Sequence, residues 1–172
     1  MHIALAHGAV RSWRTRDAAA IVRHANNRKI WLNLRDRFPY PYTIADAHAY
    51  LRYVKQMSPE TFFAITVDDE PIGSVGFVLQ PDVERVSAEV GYWLGEEFWG
   101  RGLATDAVRA MTHYASEHHQ LTRLFALPFA HNMASRRVLE KAGYVLEAQL
   151  RRSAIKDGLI QDQCQYAWYA PE

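Results

Sequence analysis

The sequence predicts an α/β protein of the α+β kind, with a mixed, largely antiparallel sheet flanked by helices. Three observations carry this. Between Thr61 and Leu94 apolar residues follow the alternation of strands, in runs broken by the turn signals Asp68-Asp69-Glu70-Pro71 and Pro81-Asp82. On both sides of this meander apolar residues recur at helical spacing. Near the end, two strand-like runs over residues 144–150 and 159–169 are joined by the turn dipeptide Asp157-Gly158.

Taken in order, residues 10–14 form a short first strand. Thr15 caps a helix running from Asp17 to residue 26, with Ala18, Ile21, Val22 and Ala25 on one face. A second helical piece covers residues 28–35 and is interrupted by Phe38-Pro39-Tyr40-Pro41-Tyr42, because neither proline can continue a helix. Thr43 and Asp46 restart helix with a capping signature, and Ala47, Tyr50, Leu51 and Val54 make its apolar stripe. Strands follow over residues 62–67, 72–79 and 87–94. A long helix over residues 102–118 carries Leu103, Ala107, Val108, Met111, Tyr114 and Ala115 at helical spacing. A strand over residues 123–127 leads into His131-Asn132 and a helix ending at residue 141, where Gly143 supplies a left-handed stop.

A chain of 172 residues, 49% hydrophobic and 23% charged, is expected to form one globular domain over residues 1–172. Its net charge of +1 offers no global field for nucleic acid, and Arg136, Arg137, Arg151 and Arg152 read as a solvated face. The single cysteine, Cys164, lies in an apolar segment and suits a buried thiol in a reducing compartment. The N-terminal residues do not resemble a secretory signal and no apolar run reaches membrane-spanning length, so a cytoplasmic location is expected. His113, His118, His119 and His131 do not have the spacing of metal ligands, and no metal is expected. The aromatics in Tyr166-Ala167-Trp168-Tyr169 permit a homodimer through a strand edge.

The most informative stretch runs from Glu89 through Gly91-Tyr92-Trp93-Leu94 to Trp99-Gly100-Arg101-Gly102-Leu103-Ala104-Thr105. It combines a strand, a glycine-punctuated turn and a helix start. Glycines let the turn take positive φ and let a ligand approach the backbone, while the helix-entry amides and the macrodipole favour an anion there. A phosphate fits this description. A nucleoside-triphosphate loop would need Lys and Ser or Thr after the last glycine, where Leu103-Ala104-Thr105 stands. A dinucleotide fingerprint would need an acid at the end of the next strand, which instead reads Ala126-Leu127-Pro128-Phe129. A plain strand-to-helix turn remains the alternative. A second element opens the next helix with Asn132-Met133-Ala134-Ser135, where Asn and Ser act either as caps or as ligand contacts.

Together these elements resemble the GNAT superfamily of acyl-CoA-dependent N-acyltransferases. Its acyl-CoA signature falls on Trp99 to Ala104, and its second signature, Asn-x-x-Ala/Ser followed by an aromatic, Lys and Gly-Phe/Tyr, on Asn132 to Tyr144. The Trp99 position, Ala88-Glu89-Val90-Gly91-Tyr92, Asn26-Asn27-Arg28 and the Pro-broken aromatic segment are similar to the branch of ribosomal-protein N-terminal acetyltransferases. The resemblance implies the GNAT fold, with about seven strands and a splayed strand pair near Leu94 and Phe125 that admits the thioester. It also implies acetyl-CoA as co-substrate. The pyrophosphate would sit on the backbone amides of Trp99, Gly100, Arg101, Gly102, Ala104 and Thr105, with Arg101 adding charge, and the pantetheine arm beside Tyr92, Trp93 and Leu94. Asn132 and Ser135 would face that arm.

Acyl transfer to an amine needs a proton acceptor and a donor to the oxyanion. Glu89 is the candidate base, through water, with an ordinary strand carboxylate as the alternative. A backbone N–H near Trp93 is the candidate oxyanion donor. Many members of the family carry a tyrosine acid after the second signature. Leu139 stands there, and Ser135 is the replacement candidate. Trp31, Tyr40 and Tyr42 are candidates for an acceptor wall, against the alternative of core packing. The reading is direct acetyl transfer, without a covalent enzyme intermediate, to a protein or peptide N-terminus. A small-molecule amine or a non-catalytic acyl-CoA sensor are the alternatives.

Overall fold

The computed structural model describes residues 1–171; the domain boundary expected at Glu172 lies outside them. Its strands are β1 (His2–Leu5), β2 (Gly8–Arg11), β3 (Phe62–Val67), β4 (Glu70–Leu79), β5 (Ser87–Leu94), β6 (Arg123–Ala126), β7 (Val145–Lys156) and β8 (Leu159–Tyr169). Its helices are α1 (Ala18–Ala25), α2 (Arg28–Trp31), α3 (Ile44–Gln56), α4 (Leu103–His119) and α5 (Met133–Lys141). The sheet runs in the order β1-β2-β3-β4-β5-β6-β8-β7. The β1–β2, β2–β3, β3–β4, β6–β8 and β7–β8 ladders are antiparallel, and β5–β6 is parallel. The mixed, mostly antiparallel sheet is the one expected, with eight strands instead of about seven because His2–Leu5 pairs with β2.

The residues fall into two compact units, one of Met1–Gly76 with Tyr92–Ala107 and one of Phe77–Gly91 with Val108–Glu172. In the first, α1 and α3 pack around Trp13, Ile21, Tyr42, Leu51 and Val54, with Phe38, Tyr50 and Trp93 against this cluster. The expected first strand, residues 10–14, is instead Gly8–Arg11, and the Arg11 guanidinium donates to the Asp17 carboxylate at 2.8 and 3.1 Å. Thr15 does not cap α1. Residues Thr15–Asp17 form a 3-10 turn, and the Asp17 carboxylate accepts the Arg14 amide at 2.8 Å. The expected capping box of α3 forms, with Thr43 and Asp46 bonding each other's backbone amides. Helix α2 is shorter than the expected residues 28–35, since Asn33 and Leu34 bond carbonyls three residues back and the chain tightens into turns. Strand β4 begins at Glu70, so the hairpin turn is Asp68-Asp69 alone, with φ of 49° and 66°. Pro71 is tolerated inside β4 because it lies at the register shift opposite Thr66.

In the second unit, β8 lies between β6 and β7, and α5 is capped at its start by Asn132. Gly143 at φ 96° follows α5, as its stop role requires. Strand β7 runs six residues past the expected end at Leu150, across a bulge between Leu150 and Ala154 where Arg152 takes φ 51°. Tyr166 to Tyr169 are therefore not an edge: they pair with β6 on one side, and Tyr166 and Ala167 pair with β7 on the other. The outer strand on this side of the sheet is β7, not β8. Among the described residues no helix is long and apolar enough to cross a membrane.

Candidate functional site

The glycine turn forms at the entrance to α4. Gly100 and Gly102 take φ of 76° and 82°, and a Cβ built on either meets nothing within 4 Å. Backbone conformation, not crowding, demands these glycines, and the space beside them is open. The turn leads directly into the 17-residue α4, whose first amides, as at any helix start, have no carbonyl partner inside the helix. Arg101 is exposed and places its guanidinium 5.3 Å from the Phe98 ring centroid, which keeps positive charge at the turn. Ala104 is half-buried, and Thr105 is buried.

Trp99 departs from its expected part. Its amide donates to Glu96 O at 3.1 Å and its indole Nε1 to Leu94 O at 2.7 Å. Its backbone N–H thus already has a partner and is not an anion donor. The residue instead clamps the end of β5 to the turn and is 45% exposed.

Strand β5 is fixed on one side by a close approach at Gly73. A Cβ there would lie 2.4 Å from Trp93 O, and Gly95 N donates to Ile72 O at 2.8 Å. Tyr92 and Trp93 are half-buried, and Leu94 is buried. Trp93 meets Phe38 edge-on at 5.9 Å, and Phe38 meets Tyr42 at 4.9 Å, so the Pro-broken aromatic segment packs against the strand. Asn26 pins that segment, its Oδ1 accepting the Tyr42 amide at 3.0 Å. The three acceptor-wall candidates separate. Trp31 and Tyr40 face each other at 5.8 Å, with Tyr40 43% exposed, whereas Tyr42 is 5% exposed and its hydroxyl pKa is pushed up by burial. Tyr42 is a core side chain, and the accessible wall is Trp31 and Tyr40.

In the second unit, Glu89 is half-buried and stands opposite Phe125, the last of the Ser87–Arg123, Ala88–Leu124 and Glu89–Phe125 pairs. Asn132 Oδ1 accepts the Ser135 amide at 3.1 Å, which leaves Nδ2 as the donor of that side chain. Ser135 is half-buried in the first turn of α5. Leu139 is fully buried, so the position where a phenolic acid was sought points into the core. His118 Nδ1 bonds Tyr114 O at 2.9 Å, and His131 stacks on Phe129 and bonds Gln161. No group of three His, Cys, Asp or Glu able to hold a metal occurs among the described residues.

Residues missed by sequence reasoning lie just before the glycine turn. Asn27 donates its Nδ2 to Glu96 Oε2 at 2.7 Å, and Lys29 pairs with Glu96 Oε1. These hydrogen bonds, Lys29 first, lower the Glu96 pKa below its ordinary value. The Asn26-Asn27 doublet ahead of a helix was the available signal for a cap; its partner across the sequence was not readable.

The family model of the acetyltransferase (GNAT) domain matches residues 9–145. The ribosomal-protein-serine acetyltransferase of Escherichia coli (strain K12) is 30% identical over 105 residues, 61% of this chain and 58% of that protein. YdaF of Bacillus subtilis (strain 168), whose name proposes a ribosomal N-acetyltransferase, is 35% identical over 94 residues, 54% of this chain and 51% of that protein. The chain thus spans about half the length of these curated relatives. A solved structure of RimL, described as a ribosomal L7/L12 α-N-protein acetyltransferase in complex with coenzyme A, has a TM-score of 0.88 at 19% identity and 98% coverage of both chains. That likeness is one of fold.

Proposed function

Because the chain belongs to the acetyltransferase (GNAT) family, we propose that it transfers an acetyl group from acetyl-CoA to a primary amine, the N-terminal α-amine of a protein or peptide. The observation that carries this reading is the open turn of Gly100 and Gly102, both at positive φ, at the start of α4. It suits a pyrophosphate, whose negative charge meets the helix-entry amides after Trp99, the macrodipole and Arg101. The end of β5 at Tyr92 and Trp93, both half-buried, suits an amide-bearing arm laid along a strand.

Acetyl-CoA supplies an activated acyl thioester. The chain's task is to orient it, hold the oxyanion and take a proton. The acceptor nitrogen attacks the thioester carbonyl carbon, a backbone N–H near Trp93 donates to the oxyanion, and the C–S bond breaks as the amine proton passes through water to Glu89. Ser135 is the residue assigned to the leaving sulfur, as donor or through water. Neutralising a lysine of pKa ~10.4 at pH 7 costs about 4.6 kcal/mol, whereas an α-amine of pKa ~7.8 costs about 1. A water-mediated carboxylate suffices only for the second, which favours the α-amine. The names of the ribosomal-protein relatives point the same way. Buried Cys164 suits a reducing, cytoplasmic setting for such an acceptor.

The experiment is thiol release from acetyl-CoA with a panel of free-N-terminus peptides, their α-N-blocked counterparts and small amines. Release with free but not blocked peptides supports the reading. Release with small amines alone assigns a different acceptor, and tight coenzyme binding without turnover on any amine makes the chain a sensor.

A further inference from the structure

Helix α2 ends in Trp31, half of the accessible aromatic wall, and its first turn is tied to the 3-10 turn Glu96–Phe98 that leads into Trp99 and Gly100. Asn27 is the joint. Its Oδ1 accepts the Lys29 amide at 2.8 Å and so caps α2, while its Nδ2 donates to Glu96 Oε2 at 2.7 Å. Lys29, the second residue of the helix, pairs with the other Glu96 oxygen. One carboxylate therefore holds both the cap and the first turn of α2. The adjoining residues brace the same turn from below. His24, only 4% exposed, sets Nδ1 3.2 Å from Glu97 Oε1, and its ring meets Phe98 edge-on at 5.5 Å. Gly95 leaves room for that ring, since a Cβ there would lie 3.0 Å from His24 Nδ1. On Phe98 also rests the guanidinium of Arg101, inside the glycine turn.

A single path of contacts thus runs from the anion turn, through Phe98 and Glu96, into α2 and its terminal tryptophan. We propose that Glu96 is a positioning residue that couples coenzyme occupancy of the glycine turn to the placement of Trp31, so that the acceptor wall is set by the bound coenzyme. The proposal rests on the reading of that turn as the coenzyme seat. An ordinary surface ion pair would stabilise α2 and do nothing more.

The test is 19F NMR of protein labelled with 5-fluorotryptophan, titrated with coenzyme A, with the Trp31 resonance assigned by Trp31→Phe and coenzyme affinity measured in parallel by calorimetry. The wild type is expected to shift its Trp31 resonance along the same saturation curve that calorimetry gives. Glu96→Ala is expected to bind coenzyme A within about threefold of wild type, as loss of an exposed pair allows, yet to lose most of the Trp31 shift. Glu96→Gln, which keeps the bond to Asn27, and Lys29→Met, on an exposed side chain, retain the fold and show a partial shift. A full Trp31 shift in all three variants, or no shift in saturated wild type, overturns the coupling while leaving the coenzyme seat intact. No binding of coenzyme A to wild type by calorimetry overturns the seat itself and the coupling with it.

Discussion

Replacing Gly102 by alanine separates backbone strain from ligand contact. The residue sits at φ 82° with nothing within 4 Å of a built Cβ, so the methyl group meets no protein atom. The structural cost is that of an L-residue at positive φ, about 1 kcal/mol. In a chain of this size that lowers the Tm by about 2–4 °C. The binding cost is separate. The methyl projects into the space that a phosphate would enter under the proposed function, and losing one hydrogen bond to a charged group costs about 1.5–3 kcal/mol. That is a tenfold to hundredfold weaker Kd for coenzyme A, at about 1.4 kcal/mol per factor of ten. Gly158, in the β7–β8 turn at φ 75° and also without a neighbour within 4 Å, is the control. Gly158→Ala is expected to show the same melting loss and an unchanged Kd. Calorimetric titration with coenzyme A, beside thermal melts of both variants, reads the two terms independently. A folded Gly102→Ala protein that binds coenzyme A as wild type does refutes the phosphate assignment, whatever its Tm.

Other outcomes follow from the same geometry. Glu89→Gln is expected to lower kcat by about a hundredfold with coenzyme affinity intact; an unchanged kcat removes Glu89 from the mechanism. Leu139→Tyr is expected to destabilise by about 1–3 kcal/mol through overpacking of a fully buried site, with no gain in turnover; a gain in turnover from a folded variant contradicts the core placement of that position. Burial opposes ionisation of Glu147, but hydrogen bonds from Tyr169, Gln165 and Arg123 outweigh it and bring the pKa from 4.5 down to about 2. Its pKa is depressed on folding, so this stabilisation is present above pH 4.5 and is lost as pH falls towards about 2. Melts across that window should fall more steeply for wild type than for Glu147→Gln, and parallel curves contradict the network.

What the sequence disclosed depended on how local the controlling interaction is. The Thr43–Asp46 box, the strand pattern of residues 62–67 and 87–94, and the Gly143 stop are decided within a few residues, and the structure has each of them. Strand β1 was missed because four residues, His2–Leu5, carry too little alternation to announce themselves before pairing. The far half of β7 was missed because Arg151-Arg152-Ser153 shows no alternation, and a bulge restores pairing at Ala154. Thr15 was misjudged as a cap because Asp17, two residues on, is drawn to the Arg14 amide and the buried Arg11 together. Within the site, the glycines and the Asn132 cap were legible as local backbone requirements. The Trp99 clamp on Leu94 and the Asn27–Glu96–Lys29 joint were not, because each depends on a partner that only the folded chain supplies. The same limit applies to Tyr42, whose aromatic character fits a pocket wall and a core equally until its burial is known.

The central claim is that this chain moves an acetyl group from acetyl-CoA onto the α-amine of a peptide. Its most direct test is mass spectrometry of peptides incubated with acetyl-CoA and the protein, with free thiol quantified in the same tube. The account predicts acetylation at the N-terminal nitrogen alone, matched mole for mole by thiol, and abolished when that nitrogen is blocked. Acetylation confined to lysine side chains or small amines, or coenzyme binding with no acetylated product, contradicts it.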